Sequence, residues 1–159
     1  NHGLALLSNG RVMAWGLNTY GMLGDGTTQS RRIPVEVKNL TNVIAIAAGA
    51  DHSVAVLADG TVRTWGRGYR GALGSGTKAN RLLPGVVSGP TDVVQVEGGR
   101  DHTIAITESG ELWDWGFNTN GQLGAGGTTN KLSPQKLSGI SDAVDAGGGF
   151  GYTVLLRSP

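Results

Sequence analysis

The chain repeats itself with a period of 50 residues, and this period constrains the fold more than any single motif does. Each period carries a Trp-Gly pair, a Leu-Gly pair and a histidine at fixed offsets. The recurring residues are Trp15, Trp65 and Trp115, Gly24, Gly74 and Gly124, and His2, His52 and His102. We predict a single repeat domain over 1–159, with repeats at approximately 1–50, 51–100 and 101–150 and a fourth beginning at 151–159.

Each period contains four apolar or alternating runs that are separated by turn residues. In the second copy they read VAVL, VRTW, GVVS and VVQVE, and the first two are joined by Asp59-Gly60. A two-residue Asp-Gly connection between such runs is a strong β-hairpin signal. Glycine accounts for 28 of 159 residues, which long helices would tolerate poorly. The sequence therefore predicts an all-β chain of four-stranded antiparallel units in series.

Four short strands per unit are typical of the blades of a β-propeller. A linear β-solenoid is the alternative, but its repeat is usually far shorter and lacks paired hairpin turns. Residues 1–9 occupy the same phase as 151–159, so both ends carry the same strand. We predict three β-propeller blades plus one strand, and we expect them to form part of a larger or oligomeric ring.

One stretch, GRGYRG at 66–71, matches the G-x-G-x-x-G fingerprint of dinucleotide-binding proteins. That fingerprint requires a helix after the glycines, whereas Gly74, Gly76 and Pro84 interrupt the sequence that follows. Gly68 is replaced by asparagine in the other two copies. Glycine and asparagine readily adopt positive φ, so we interpret this phase as a left-handed turn and predict no bound cofactor.

The segment GADHSVAVLADGTVRTWG at 49–66 and its counterpart GRDHTIAITESGELWDWG at 99–116 resemble the repeat of the regulator of chromosome condensation family. MAWGLNTYGMLGDGTT at 13–28 is similar to versions found in bacterial multi-repeat proteins. The resemblance covers nearly the whole chain. It implies β-propeller blades, which most family members assemble into a seven-bladed ring, whereas this chain has three periods.

The most tempting catalytic pattern is Asp51-His52-Ser53, which contains the three residue types of a catalytic triad. Adjacent side chains of a strand point to opposite faces, so consecutive residues cannot form a triad. The histidines of successive blades should be about 10 Å apart, which is too far for one metal ion. We interpret the histidines as structural hydrogen-bonding residues and the tryptophans as space-filling residues between blades, and we predict no enzyme and no metal site.

The charge balance bears on the class of partner. Thirteen basic and twelve acidic residues give a formal charge of +1, which argues against nucleic acid for this segment. No apolar run approaches the length of a membrane span. We expect neither nucleic acid nor a membrane as partner. The absence of cysteine leaves the compartment open between an extracellular bacterial and a cytoplasmic or nuclear location.

Recognition is expected where the repeats differ, because those positions are free of shared packing constraints. The loop after each Trp-Gly pair is the most variable, and the residue two positions before each histidine also varies. Tyrosine, phenylalanine and arginine are frequent in interface hot spots. The predicted partner-binding residues are Tyr20, Arg67, Tyr69, Arg70, Phe117, Arg100 and Phe150.

These observations favour a non-catalytic scaffold for protein–protein interaction. Two alternatives follow from the resemblance alone. One is nucleotide exchange on a small GTPase together with chromatin binding, although the regular 50-residue spacing leaves no room for an exchange-promoting insertion. The other is a secreted bacterial binding or inhibitory propeller. If the chain is complete, a second copy could also cover the open edges of its terminal blades.

Overall fold

The computed structural model describes residues 1–158, which form thirteen β-strands. The strands are β1 (His2–Leu6), β2 (Val12–Gly16), β3 (Arg31–Glu36), β4 (Val43–Ala48), β5 (His52–Leu57), β6 (Val62–Gly66), β7 (Arg81–Val87), β8 (Val93–Gly98), β9 (His102–Thr107), β10 (Leu112–Gly116), β11 (Lys131–Lys136), β12 (Ala143–Gly148) and β13 (Thr153–Arg157). A single 3-10 turn at Tyr69–Gly71 interrupts this pattern. None of the helical structure in residues 1–158 is long or apolar enough to cross a membrane.

The strands pair into four antiparallel sheets, in the orders β1-β2-β3, β4-β5-β6-β7, β8-β9-β10-β11 and β12-β13. The all-β prediction and the four-stranded blade are confirmed. Thirteen strands equal three blades plus one strand, but the extra strand does not stand alone. Each complete sheet takes its first strand from the end of the preceding 50-residue repeat, as β4 pairs with β5. Incomplete sheets of three and two strands therefore lie at the two ends.

Successive sheets pack face to face, and the first strands β4, β8 and β12 lie beside one another. This is the arrangement of propeller blades around an axis. The turn between β5 and β6 shows how the sequence closes each hairpin. Gly60 has a φ of 75°, and the carboxylate of Asp59 accepts a hydrogen bond from the Thr61 amide at 3.0 Å. A residue at positive φ is what a tight hairpin turn requires.

A buried tryptophan fills each of the first two interfaces between sheets. Trp65 is fully buried against Leu23, and its indole N–H donates to the carbonyl oxygen of Met22 at 2.8 Å. A Cβ added to Gly24 would lie 2.9 Å from that indole nitrogen. Glycine is thus required there both by its φ of 63° and by the close approach of the ring.

Trp115 repeats this arrangement at the second interface. It is fully buried, and its N–H donates to the Ala72 carbonyl at 2.9 Å. A Cβ on Gly74 would lie 2.8 Å from its nitrogen. Trp15 differs because it is only half-buried and lies over Gly3 in the first sheet. The tryptophan phase therefore has two buried environments and one partly exposed one.

The third interface, between β8–β11 and the β12–β13 pair, contains an open pocket of about 370 Å³. Its apolar walls include Leu112, Leu123 and Leu155. Asp114 and Gln122 also line it, and the Asp114 Oδ1 and Gln122 Nε2 atoms are buried without a hydrogen-bond partner among the described residues. The strands at this interface pair as they do at the other two, but a pocket lies beside Gly124.

Candidate partner-binding site

The loops that follow the Trp-Gly pairs of three successive sheets meet at one end of the sheets. The second of these loops supplies Arg67, Tyr69 and Arg70, the first supplies Tyr20, and the third supplies Phe117. We call these five side chains the arginine–aromatic ladder. They belong to different repeats, and the packing of the sheets brings them together.

Guanidinium and aromatic groups alternate along the ladder. The Arg67 guanidinium carbon lies 4.5 Å from the centroid of the Tyr20 ring and 4.6 Å from that of Tyr69. The corresponding carbon of Arg70 lies 4.8 Å from the Tyr69 centroid and 3.9 Å from that of Phe117. All four distances are within the range of cation–π attraction. The ladder is one continuous set of contacts across three repeats.

Two aspartates hold the arginines in place from beneath. Arg67 Nη1 donates to Asp51 Oδ2 at 3.1 Å, and the side-chain amide of Asn1 donates to the other oxygen of the same carboxylate. Arg70 Nη1 lies 3.5 Å from Asp101 Oδ2. Each aspartate directly precedes the histidine of its repeat, so the turn before β5 or β9 positions it. The carboxylates therefore fix the arginines to the sheet framework.

Arg100 and Phe150 join the same network through Asp101. The Arg100 Nε atom lies 3.6 Å from Asp101 Oδ2, and its guanidinium carbon lies 4.1 Å from the Phe150 centroid. Asp101 is 5% exposed. Burial raises its pKa, while Arg100, Arg70 and Arg67 act in the opposite direction. One buried carboxylate thus interacts with three arginines, and these interactions partly offset the free-energy cost of burying its charge.

The network presents a mixed surface to solvent. Phe150 is 68% exposed and Tyr69 is 42% exposed, while Phe117 is buried. The side chains of Arg67 and Arg70 are partly exposed. Such a combination of rings and guanidinium groups is characteristic of residues that dominate protein interfaces. All seven residues that the sequence predicts for partner binding lie in this one network.

Arg70 adopts a backbone conformation that is unusual for its residue type. Its φ is 60° and its ψ is 8°, in the left-handed region that favours glycine. The conformation is held by the ring contacts of its guanidinium and by Asp101. Strained backbone persists where surrounding contacts determine it, and it concentrates at binding sites. The strain supports the assignment of this loop as the centre of the site.

The interpretation of residues 18, 68 and 118 as a shared left-handed turn is wrong. Gly68 has a φ of −85°, and neither asparagine is among the residues at positive φ. Asn118 is buried and organises its loop, since its Oδ1 accepts from the Leu123 amide and its Nδ2 donates to the carbonyls of Gly127 and Thr129. Hydrogen-bonding capacity, rather than backbone freedom, explains asparagine there.

Gly68 lets the second loop take a different path. A Cβ at this position would collide with the carbonyl oxygen of Ala79, so the loop backbone occupies the space that an asparagine side chain fills elsewhere. The Gly68 amide donates to Asn80 Oδ1 at 3.0 Å. This tighter loop is the one that supplies three residues of the ladder. Gly68 therefore allows two parts of this loop's own backbone to approach each other closely.

The histidine phase connects each sheet to the next. His52 Nε2 lies 2.9 Å from Thr103 Oγ1, and the Thr103 hydroxyl donates to the Ala72 carbonyl at 2.8 Å. The hydroxyl hydrogen is used in that bond, so the imidazole must donate from Nε2. His2 and Ser53 form the same contact at 2.7 Å. We call each of these chains of bonds an inter-sheet relay.

Burial keeps these histidines neutral. It lowers the pKa of His52 to about 3, and it lowers those of His2 and His102 to about 4. A neutral imidazole with its proton on Nε2 fits the relay. His102 contacts Thr153 Oγ1 at 3.2 Å in the third interface. No group of three histidine, aspartate or glutamate side chains within residues 1–158 is arranged to hold a metal ion.

The three members of Asp51-His52-Ser53 make contacts in three different directions. Asp51 binds Arg67, His52 contacts Thr103, and Ser53 donates to the Met22 carbonyl at 2.8 Å. The side chains therefore form no nucleophile–base pair. Sequence reasoning considered Asp51 only as a triad member and did not identify it, or Asp101, as part of the candidate network. The available signal was that an aspartate directly precedes the histidine in two repeats, and that Arg100 directly precedes Asp101.

Comparison with known proteins gives consistent matches. The model for the regulator of chromosome condensation (RCC1) repeat matches residues 9–56, 59–106 and 109–156. A second model of this repeat matches residues 43–72 and 93–122, which begin with β4 and β8. Each match of the first model spans the last two strands of one sheet and the first two strands of the next.

Solved structures match over essentially the whole chain. Human WBSCR16 is 26% identical with a TM-score of 0.87, and the match covers 100% of this chain and 43% of that chain. Prp20p from Saccharomyces cerevisiae is 23% identical with a TM-score of 0.82, covering 100% and 42%. Yeast RCC1 (Prp20) bound to Kap60 is 22% identical with a TM-score of 0.80, covering 99% and 40%. The chain spans about two fifths of the length of these propellers.

Proposed function

Because the chain belongs to the regulator of chromosome condensation (RCC1) repeat family, we propose that it is a non-catalytic protein-binding module whose contact surface is the arginine–aromatic ladder with Arg100 and Phe150. Propellers of this family generally act as binding modules or exchange factors. The single observation that carries the proposal is the convergence of the variable residues of three repeats into one exposed network.

The chemistry of the network supports binding rather than catalysis. Its carboxylates are engaged with arginines, and its histidine neighbours are buried, neutral and bonded to hydroxyl groups of the next sheet. A catalytic group would need access to substrate and a proton-transfer partner. The guanidinium and ring surfaces instead offer directional contacts that a protein partner can match.

A small-GTPase regulator is the alternative in this family. Prp20p was described with binding to Gsp1p and histones, and yeast Prp20 with Kap60. Identities of 22–23% support the shared fold rather than shared partners. We therefore base the proposal on the ladder, which is a property of this chain.

The test is affinity capture with ladder variants. The chain and its Tyr69→Ala and Arg67→Gln variants are immobilised, and the proteins retained from an extract of the source cells are quantified by mass spectrometry. Ile33→Ala and Arg32→Gln are matched controls, because both residues are exposed on β3 outside the ladder. We expect a set of proteins that the controls retain and that both ladder variants lose by about tenfold, which corresponds to roughly 1.4 kcal/mol.

Near-ultraviolet circular dichroism of each variant establishes that the buried tryptophans keep their environment. If the folded ladder variants retain the same proteins as the controls, the contact surface lies elsewhere and the proposal is wrong.

A further inference from the structure

We propose that the partner segment recognised by the ladder is acidic, with carboxylates that bind the edges of Arg67 and Arg70 and an apolar side chain that contacts Phe150. This inference rests on the proposed function and specifies the chemistry of the partner. It follows from which parts of each guanidinium group are covered and which are free.

Each of the two guanidinium groups lies over two aromatic rings of the ladder. Arg67 contacts the rings of Tyr20 and Tyr69, and Arg70 contacts those of Tyr69 and Phe117. The N–H groups of a guanidinium lie in its plane and point outward from its edge. The ring contacts therefore hold each guanidinium group in place, and its N–H donors that make no hydrogen bond within the chain stay available to a ligand.

Most of these edge donors are uncommitted. Arg67 gives one hydrogen bond, to Asp51, and within residues 1–158 Arg70 and Arg100 approach only Asp101, at 3.5 and 3.6 Å. These arginine side chains remain partly exposed, and the Arg100 side chain is 44% exposed. A planar pair of N–H donors matches the two oxygens of a carboxylate better than any neutral side chain does.

The local charge also selects an anionic partner. Three arginines share two aspartates in this network, so it carries an excess positive charge although the chain as a whole has a formal charge of only +1. The ring contacts and ion pairs hold the arginine side chains before binding. Groups that are already ordered lose less conformational entropy when a ligand binds.

The rings argue against single-stranded nucleic acid as the anion. Nucleic-acid platforms present aromatic faces on which bases stack. In the ladder, Tyr69 already contacts two guanidinium groups and Phe117 is buried. Phe150 is the most exposed ring, at 68%, and it lies beside Arg100. This most exposed ring, next to a row of guanidinium edges, fits an acidic peptide that also carries an apolar side chain.

The experiment measures fluorescence anisotropy of a labelled synthetic peptide on addition of the full chain. The peptide is Gly-Glu-Ser-Glu-Leu-Glu-Ser-Glu-Gly, and in the matched peptide every glutamate is glutamine. We expect saturable binding of the glutamate peptide that weakens as salt rises, and at least tenfold weaker binding of the glutamine peptide. Equal binding of the two peptides would overturn the proposal.

Charge-preserving variants test the role of the planar edge. Arg67→Lys and Arg70→Lys keep the charge but lose the stacked plane, so each should weaken glutamate-peptide binding at least tenfold, whereas Arg32→Lys should leave it unchanged. Unchanged binding by both ladder variants would mean that net charge alone acts. Tighter binding of a phosphoserine version of the peptide, or of an oligothymidylate, would also contradict a carboxylate-specific site.

The outcome separates this inference from the proposed function. If ladder variants lose captured partners but no acidic peptide binds, the protein-binding module stands and its partner has another chemistry. If neither experiment responds to the ladder variants, both proposals fail.

Discussion

The second and third interfaces between the sheets share one framework but differ in what fills it. At the second interface, the Trp115 indole occupies the space beside Gly74 and donates to the Ala72 carbonyl. At the third, where β12 and β13 form the facing sheet, an open pocket of about 370 Å³ lies beside Gly124 and is lined by Asp114, whose Oδ1 has no hydrogen-bond partner among the described residues. The comparison shows that the indole both fills volume and donates a hydrogen bond to a backbone carbonyl.

The largest effect should come from removing the indole of the second interface. Trp115→Ala leaves a cavity and removes one of the two hydrogen bonds to the Ala72 carbonyl, so we expect a loss of about 3–5 kcal/mol in the free energy of unfolding. Trp15→Ala is the control, because Trp15 is only half-buried, and it should cost about 1 kcal/mol. Urea denaturation followed by circular dichroism measures both. Similar losses for the two variants would mean that the indoles do not stabilise the interfaces as the geometry indicates.

Two glycines provide a closely matched second comparison. Gly74 and Gly124 have φ values of 62° and 65°, so alanine at either position should incur a backbone cost of about 1–2 kcal/mol. At Gly74 the new Cβ also meets Trp115 Nε1 at 2.8 Å, whereas at Gly124 its nearest neighbour is Leu137 Cδ2 at 3.3 Å.

We therefore expect Gly74→Ala to cost about 1–3 kcal/mol more than Gly124→Ala in thermal or urea denaturation. If Gly124→Ala proves equally costly, the φ alone determines the requirement for glycine, and the contact with the indole contributes nothing.

The inter-sheet relays should show the same difference on a smaller scale. Thr103 both accepts from His52 and donates to Ala72, so Thr103→Val leaves the buried His52 Nε2–H unpaired, removes one of the two hydrogen bonds to the Ala72 carbonyl and should cost about 2 kcal/mol. Within residues 1–158 the Thr153 hydroxyl hydrogen-bonds to His102 alone, and at a longer distance of 3.2 Å, so Thr153→Val should cost less than about 1 kcal/mol. Urea denaturation of the two variants at pH 7 is the measurement. A larger loss at Thr153 would reverse the proposed order.

The smallest effect is a pH dependence that belongs to the third interface. Burial raises the pKa of Asp114 to about 8 and lowers that of His52 to about 3. The neutral Asp114 therefore favours folding at low pH, and this contribution is lost as the pH rises through 8. The neutral histidines favour folding above their ordinary pKa of 6.5, and this contribution is lost as the pH falls toward 4.

Stability should consequently be greatest near pH 6.5 and fall by about 1–2 kcal/mol toward pH 8. Asp114→Asn keeps the shape of the side chain without its charge, so it should abolish the alkaline fall and retain the acid one. Chemical denaturation between pH 5 and 8.5 measures both limbs. An alkaline limb that persists in the variant would assign it to another group.

The repeat pattern was sufficient to predict the β-sheets, the number of strands and the burial of Trp65 and Trp115, whereas Trp15, predicted to be equivalent, is only half-buried. These features depend on side-chain periodicity, turn residues and volume, which are visible in a single sequence. The same pattern did not indicate that each sheet borrows its first strand from the preceding repeat, because a period has no intrinsic starting point. Only the pairing of β4 with β5 sets the boundary.

The variable positions that were predicted to bind a partner do lie together, but the sequence did not indicate their order or what holds them. Asp101 recurs next to a structural histidine and therefore resembled part of the framework. Its interaction with Arg70 and Arg100 depends on how adjacent sheets are rotated, which is a three-dimensional property. Asp114 was missed for a similar reason, since Ala14 and Thr64 at the same phase give no indication of a buried acid.

The ladder draws Tyr20, Tyr69 and Phe117 from three different repeats, and its spacing is set by the rotation between neighbouring sheets. In repeat proteins such geometry accumulates from one neighbour to the next. The contacts within the ladder consequently depend on how neighbouring sheets are aligned. A substitution of a buried tryptophan that opens one interface would separate the rings from their arginines. A change in the core would therefore weaken the proposed partner binding at the surface.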